Sequence, residues 1–168
     1  MASQIYAAQV LGLTAVTFHT SIQWSMSWLV MPSILAAKDP KEKLNLWKAL
    51  YSRGARTGPP AALLATGTLA YVSYLATSPA TRRFYIIAAI MPALIVPYTW
   101  LFIDSTNMFL HERKTAFDNH EEVRPEDNRR ITDALNKWRD LNYVRTFMPF
   151  VATVMAVIGL TRNKAVSI

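Results

Sequence analysis

Residues 84–103 read FYIIAAIMPALIVPYTWLFI, twenty positions without Asp, Glu, Lys or Arg, held between Arg82-Arg83 and Asp104. A spanning helix needs about 20 such residues to cross the hydrocarbon core of a bilayer. Pro92 and Pro97 are tolerable within it, because neighbouring helices re-satisfy the backbone groups that proline frees. Three more stretches lack charge, at 1–37, 57–81 and 146–161. The mean hydropathy is a mild +0.15 only because charged loops dilute these stretches. The 168 residues, 52% hydrophobic and 17% charged, therefore read as an all-α integral membrane protein.

Working outward, the spans fall at about 5–37, 57–77, 84–104 and 141–161 of a single domain covering 1–168. The first begins without a basic n-region and runs past the usual length of a signal peptide, so it reads as a retained helix, loosened near Pro32. After it, Asp39 suits a helix N-cap and Pro40 the first helical position. Leu44, Trp47, Leu50 and Tyr51 then recur at helical spacing with Lys41, Lys43, Lys48 and Arg53 on other faces, the pattern of an amphipathic helix lying on the membrane surface. The second span opens at Thr57-Gly58-Pro59-Pro60, and Ser78-Pro79 turns into the third, which continues to about Lys114. A polar loop at 117–128 precedes a long last helix whose wet extension is 129–140. The expected architecture is a four-helix membrane bundle.

Thirteen Lys and Arg follow the first and third spans, against four (Arg82, Arg83, Arg162, Lys164) on the other side. The positive-inside rule makes both long loops cytosolic and puts both termini across the membrane. The same rule accounts for the net charge of +7 without nucleic acid, which is excluded as a partner. With no cysteine, disulfides, iron–sulfur clusters and Cys-type zinc sites are excluded. Only His19, His111 and His120 remain for a metal, too few for a multi-histidine centre. His19 lies near the middle of the first span and His111 seven residues beyond Asp104, roughly 10 Å of axial mismatch at 1.5 Å per residue, so the pair does not bracket a haem. No metal is expected.

Function in such a bundle is sought among polar residues at membrane depth, where they are expensive. The first span offers His19 and Gln23, one turn apart. The third offers Trp100, Asp104, Asn107 and His111, and the fourth Trp138, Asn142 and Arg145, each set at spacings of three and four that hold one stripe. Both latter stripes fall near the cytosolic end, so a shared pocket is geometrically plausible. Each residue also has a structural reading. Arg145 would snorkel or pair with Asp104, the Asn side chains would bridge helices, and the Trp rings would join an interfacial belt. His19 would hydrogen-bond a neighbour, although burial in the bilayer keeps an imidazole neutral, the form that suits a base. His120 reads as a solvated loop residue.

Two elements carry a resemblance. Ser-Thr-Asn-Met-Phe-Leu at 105–110 resembles the Pro-Thr-Asn or Pro-Ile-Asn element of the fungal anthrone oxygenase-like membrane proteins, a group also widespread in bacteria. Trp138, Asn142 and Arg145 in Lys-Trp-Arg-Asp-Leu-Asn-Tyr-Val-Arg (137–145) are similar to that family's Trp-x-x-x-Asn-x-x-Arg element at the start of the last helix. The end of the first span, Leu-Val-Met-Pro-Ser-Ile-Leu at 29–35, is similar to its first-helix terminus, and the likeness covers essentially the whole chain. The third-span element lacks the proline before Thr106, and His19 matches no family motif.

The resemblance implies oxidation of a polyketide anthrone to its anthraquinone with O2 in secondary metabolism, without metal, flavin or haem. Deprotonating the methylene carbon gives an electron-rich anion that reduces oxygen by itself, so the protein need only bind and deprotonate. His19 or His111 would be the base, Arg145 with Asn107 and Asn142 would hold the oxyanion, and Gln23, Trp100 and Trp138 would line the substrate. The expected partners are a hydrophobic aromatic polyketide, O2 and the lipid bilayer, with a homo-oligomer left open. A fungal source would make the membrane the endoplasmic reticulum. Two other classes stay open: a different cofactor-free step, such as isomerisation or cyclisation of a polyketide or terpenoid, and a non-catalytic membrane partner of a biosynthetic enzyme.

Overall fold

The computed structural model describes residues 2–122 and 124–165; residues 166–168 and the side chain of Lys164, used above in the base count, lie outside the described residues. The described chain is all-α, with no strand. Four helical rods follow one another. α1 comprises Ala2–Ser25, a π-helical turn at Met26–Val30 and a last piece at Met31–Ala36. α2 is Pro40–Leu75, α3 runs Pro79–Ala93, Ile95–Tyr98, a second π-helical turn at Thr99–Ile103 and Asp104–Asp118, and α4 is Pro125–Ala165. Three stretches are long and apolar enough to cross a membrane: Gln4–Ala36, Pro79–Asp118 and Glu126–Arg162. The outer surface of the rods carries Tyr6, Phe18, Trp28, Leu63, Leu101 and Phe147, all exposed.

The boundaries follow local chemistry. Asp39 caps α2 by accepting from the Lys41 N–H at 3.0 Å, and Pro40 takes the first helical position. Ser78 and Pro79 make the turn into α3. One expectation changes: α2 is continuous from Pro40 to Leu75 where the sequence suggested a separate surface helix and a span opening at Thr57. Proline inside a helix removes the N–H that would serve the carbonyl four residues back, here Ala55 and Arg56. The helix nevertheless passes through both prolines, and Thr57 Oγ1 just before them donates to the Arg53 carbonyl at 3.0 Å. The apolar part of α2 is not among the three spanning stretches.

Contacts run around the set: α2 packs on α1 and on Pro79–Ala93 of α3, while α4 packs on Pro79–Ala93 and on α1. Two cores result. One is built of small residues, with Ala15, Ala65, Ala88, Ala89, Ala152 and Ala156 surrounding Val16, Leu69, Val72 and Tyr85. Small side chains let apolar helices approach closely where no hydrophobic effect drives them together. Gly159 belongs to this logic, because a Cβ there would stand 2.8 Å from the Tyr85 ring, whose hydroxyl accepts from Gln9 Nε2 at 3.0 Å. The other core is bulky: Met31, Ile34, Leu44, Trp47, Ile103, Leu110, Phe117, Ile131, Leu135 and Trp138. It occupies the half whose outer surface is charged, where burial of large apolar groups from water is the driving force.

Candidate functional site

Between the two cores the rods separate around a cavity of about 540 Å³, within the range that holds small-molecule ligands. Along α1 its lining residues, His19, Gln23 and Met26, fall between the two cores, while on the other rods the lining reaches into them, Thr66 lying beside Ala65 of the alanine-rich core and Ile103 and Trp138 belonging to the bulky one. α2 packs on Pro79–Ala93 and again on Asp104–Asp118, and the cavity fills the interval between. Its α2 wall is a stripe of Gly54, Gly58, Ala62 and Thr66, each four residues from the next. Such spacing stacks the four on one face, and the room beside Gly54 is taken by Met26, which a Cβ there would meet at 2.7 Å. A Cβ at Gly58 would find only Gln23 Nε2, at 3.9 Å, so this position opens directly on the space. Sequence reasoning had drawn no site residue from α2, although this stripe was its available signal.

α1, α3 and α4 supply the polar side of the cavity. Arg145 Nη2 donates to Gln23 Oε1 at 2.9 Å and Nη1 to Thr99 Oγ1 at 3.4 Å. Gln23 Nε2 lies 3.1 Å from His19 Nε2. His19, Gln23 and Arg145 all line the cavity, and His19 is only 1% exposed. Three polar atoms of cavity-lining residues are buried without a partner: His19 Nδ1, Arg145 Nε and Thr66 Oγ1. Arg145 makes no ion pair among the described residues; Asp104, the partner suggested by sequence, is exposed instead.

Asn107 and Trp138 form the wall nearest the bulky core. Trp138 Nε1 donates to Asn107 Oδ1 at 2.9 Å, which turns the Asn107 amide N–H groups away from the indole. Asn142 stands behind this pair, outside the cavity lining, with its Nδ2 donating to the Trp138 carbonyl at 2.7 Å and its own carbonyl accepting from Thr146 Oγ1 at 2.8 Å. Trp100 is 74% exposed and reaches the cavity only at its rim, while Asn107 on the same expected stripe is 5% exposed. The π-helical turn at Thr99–Ile103 explains the split: an inserted residue rotates everything beyond it, so uniform spacing no longer marks one face.

The structure does not bring His111 into the site. It packs tilted against Trp47 and edge-on to Tyr51, with ring centroids 4.9 and 4.7 Å away, and its Nδ1 lies 3.1 Å from Lys48 Nζ. Burial, and then the Lys48 charge, hold this imidazole below its ordinary value. His120 occupies an exposed turn at φ 64°, as a solvated loop residue would. In the loop before α4, the Arg124 N–H and then the Arg113 guanidinium hold the Asp127 carboxyl below its ordinary value, closing α3 onto α4. Among the described residues no three His, Asp or Glu side chains come together as a metal site would require.

Comparison with known proteins meets this geometry. The family model for anthrone oxygenase matches residues 47–155, a stretch holding the α2 stripe, Asn107, Trp138, Asn142 and Arg145. Among curated proteins, the noranthrone monooxygenase of Aspergillus flavus is 27% identical over 150 residues, 86% of this chain and 69% of that protein. Anthrone oxygenase encC of Aspergillus fumigatus is 26% identical over 169 residues, 89% of this chain and 93% of that one. An anthrone oxygenase of Claviceps purpurea is 25% identical over 157 residues, 92% and 89% of the two chains. No solved structure matches. A family model covering well over half of the sequence, with relatives aligned along nearly all of it, places this chain in the anthrone oxygenase family.

Proposed function

We propose that this oxygenase-like enzyme is a membrane-embedded, cofactor-independent anthrone oxygenase that uses O2 to convert a polyketide anthrone to its anthraquinone. The observation that carries the reading is the cavity itself, an apolar slot whose polar groups are a guanidinium without a carboxylate partner and several N–H donors. An anthrone that loses a proton from its methylene carbon becomes a planar aromatic oxyanion. That anion reduces O2; one oxygen atom ends in the new carbonyl, the other leaves as water, and the two methylene hydrogens leave with it. Arg145 supplies positive charge and the Asn107 amide an N–H donor to the oxyanion, the contribution that preorganised donors make best in a dry site. Trp138 and Trp100 offer flat faces to the rings, and Asn107 Oδ1 holds the Trp138 indole by accepting from its Nε1.

The cofactor-free assignment is supported by donor chemistry: Arg, Asn, Gln and Thr side chains dominate the polar lining, and none is a good metal ligand. For the membrane, we propose a single four-span bundle in which α2 from Gly58 onward is the fourth span. It packs along α1 and the first part of α3 and presents Leu63, Leu64, Tyr71 and Tyr74 outward. The residues before it, 40–57, would lie in the cytosolic interface, with both long basic loops cytosolic, in the endoplasmic reticulum of a fungal cell. Lipid dissolves both O2 and the substrate, and Leu63 and Val96 at the cavity edge are exposed to it.

The test is turnover in isolated membranes. Quinone absorbance from an emodin-type anthrone, followed with and without O2 and with a chelator, is expected to rise faster than in empty membranes only with O2, and regardless of chelator. An equal rate in empty membranes rejects the reading.

A further inference from the structure

The Arg145–Gln23–His19 chain fixes which way every hydrogen points. Arginine only donates, so Gln23 must present Oε1 to Arg145 and thereby its Nε2 hydrogens to His19. His19 Nε2 must then accept, and the proton of the neutral ring sits on Nδ1, the atom that is buried without a partner. The single lone pair of the imidazole is taken up by Gln23. Reversing the ring tautomer would require Gln23 to turn its amide and set its N–H groups against the guanidinium. His19, as held, is a donor and has nothing to accept a proton with.

The rest of the cavity agrees. Its titratable lining residues are His19, Tyr51 and Arg145, with no carboxylate among them. Asn107 offers amide hydrogens because its oxygen is engaged by Trp138. Arg145 is a cation without a counter-ion at membrane depth, a costly state unless an anion completes it. We infer that the substrate enters this cavity as its own conjugate base, a planar oxyanion that serves as counter-ion to Arg145, and that His19 meets it as an Nδ1–H donor positioned by Gln23. Ionisation breaks the methylene C–H bond, or the O–H bond of the enol tautomer. The proton passes to water, and the electron pair stays on the ring system and its oxygen. Binding shifts that equilibrium by favouring the anion alone.

The choice of substrate rests on the oxygenase reading; the anion site does not. The probe is emodin, whose phenol changes colour on ionising, added to purified protein in phosphatidylcholine nanodiscs. Its colour-change midpoint is expected to fall by at least about one pH unit relative to empty nanodiscs, and Arg145→Gln is expected to abolish the shift. Gln23→Glu discriminates donor from base, since a carboxylate accepts from both Arg145 and His19 Nε2–H and leaves Nδ1 with a lone pair. An anion site loses the colour shift and at least about tenfold in anthrone turnover in Gln23→Glu, whereas a His19 base keeps or raises turnover. Nitrogen NMR of the unsubstituted protein, with His19 assigned by its loss in His19→Gln, needs no folded Gln23 variant and is expected to show Nδ1 protonated. An Nε2–H tautomer, an unshifted midpoint or wild-type turnover in Gln23→Glu overturns the inference. Anthrone oxidation with an unshifted midpoint would sink this inference alone, and a shifted midpoint without oxidation would sink the oxygenase reading alone.

Discussion

At the scale of residues, Arg145 separates a working site from helix glue. A buried cation that lacks an ion pair contributes little to stability and can oppose it, so Arg145→Gln is expected to reduce anthrone turnover about a hundredfold while leaving the thermal midpoint in detergent unchanged or higher. A lowered midpoint with unchanged turnover would make Arg145 structural. His111 behaves differently, because it sits beyond the apolar part of α3 among Trp47, Tyr51 and Lys48. Folding holds its imidazole below the ordinary value of 6.5, so the unfolded chain takes up the proton first as pH drops. Stability is therefore full above about 6.5 and is lost as pH falls below it. Thermal midpoints taken from pH 8 to 5 are expected to decline less steeply in His111→Gln, with identical slopes counting against the assignment. His19 with Gln23, and Trp138 with Arg145, were legible from spacing because each pair lies on uninterrupted α-helix, whereas Asn142, on the same stripe, stays outside the cavity lining. Trp100 was not legible, because the turn at Thr99–Ile103 breaks the register on which the stripe depended, and His111, in register with Asn107, lies one turn too far along the helix and packs on Trp47 and Tyr51 instead.

Elements tell a related story in α2. Two adjacent prolines after a glycine read as the start of a span, and the helix nevertheless runs through them. Sequence shows the loss of two backbone donors; it does not show that packing on both sides tolerates the loss. The α2 contribution to the site was hidden for another reason, since Gly58 and Ala62 act by being small and leave space for a ligand, while Gly54 makes room for Met26. Gly58→Leu is accordingly expected to fill the cavity, abolishing anthrone turnover while the thermal midpoint holds or rises, because a Cβ there meets no packed atom and the rest of the side chain has the cavity before it. Retained turnover would move the substrate elsewhere.

The whole molecule was the most legible, because charge-free stretches of spanning length need only be counted, and the all-α fold with its apolar spans follows from them. Orientation rests on the distribution of thirteen bases against four. The chain has no cysteine, so single labels can be introduced at will. Glu42→Cys and Glu122→Cys are expected to react with a membrane-impermeant maleimide from the cytosolic side of sealed microsomes, and Thr77→Cys only after the membrane is opened; the reverse pattern would invert the topology. The central claim, that a cofactor-free cavity in a membrane bundle inserts oxygen into an anthrone, is tested most directly with purified, metal-analysed protein in nanodiscs, emodin anthrone and isotopically heavy O2. The account predicts one heavy oxygen atom in each quinone formed and full turnover in preparations free of iron, copper and flavin. Quinone oxygen drawn from water, or turnover that rises and falls with a bound metal or flavin, would contradict it.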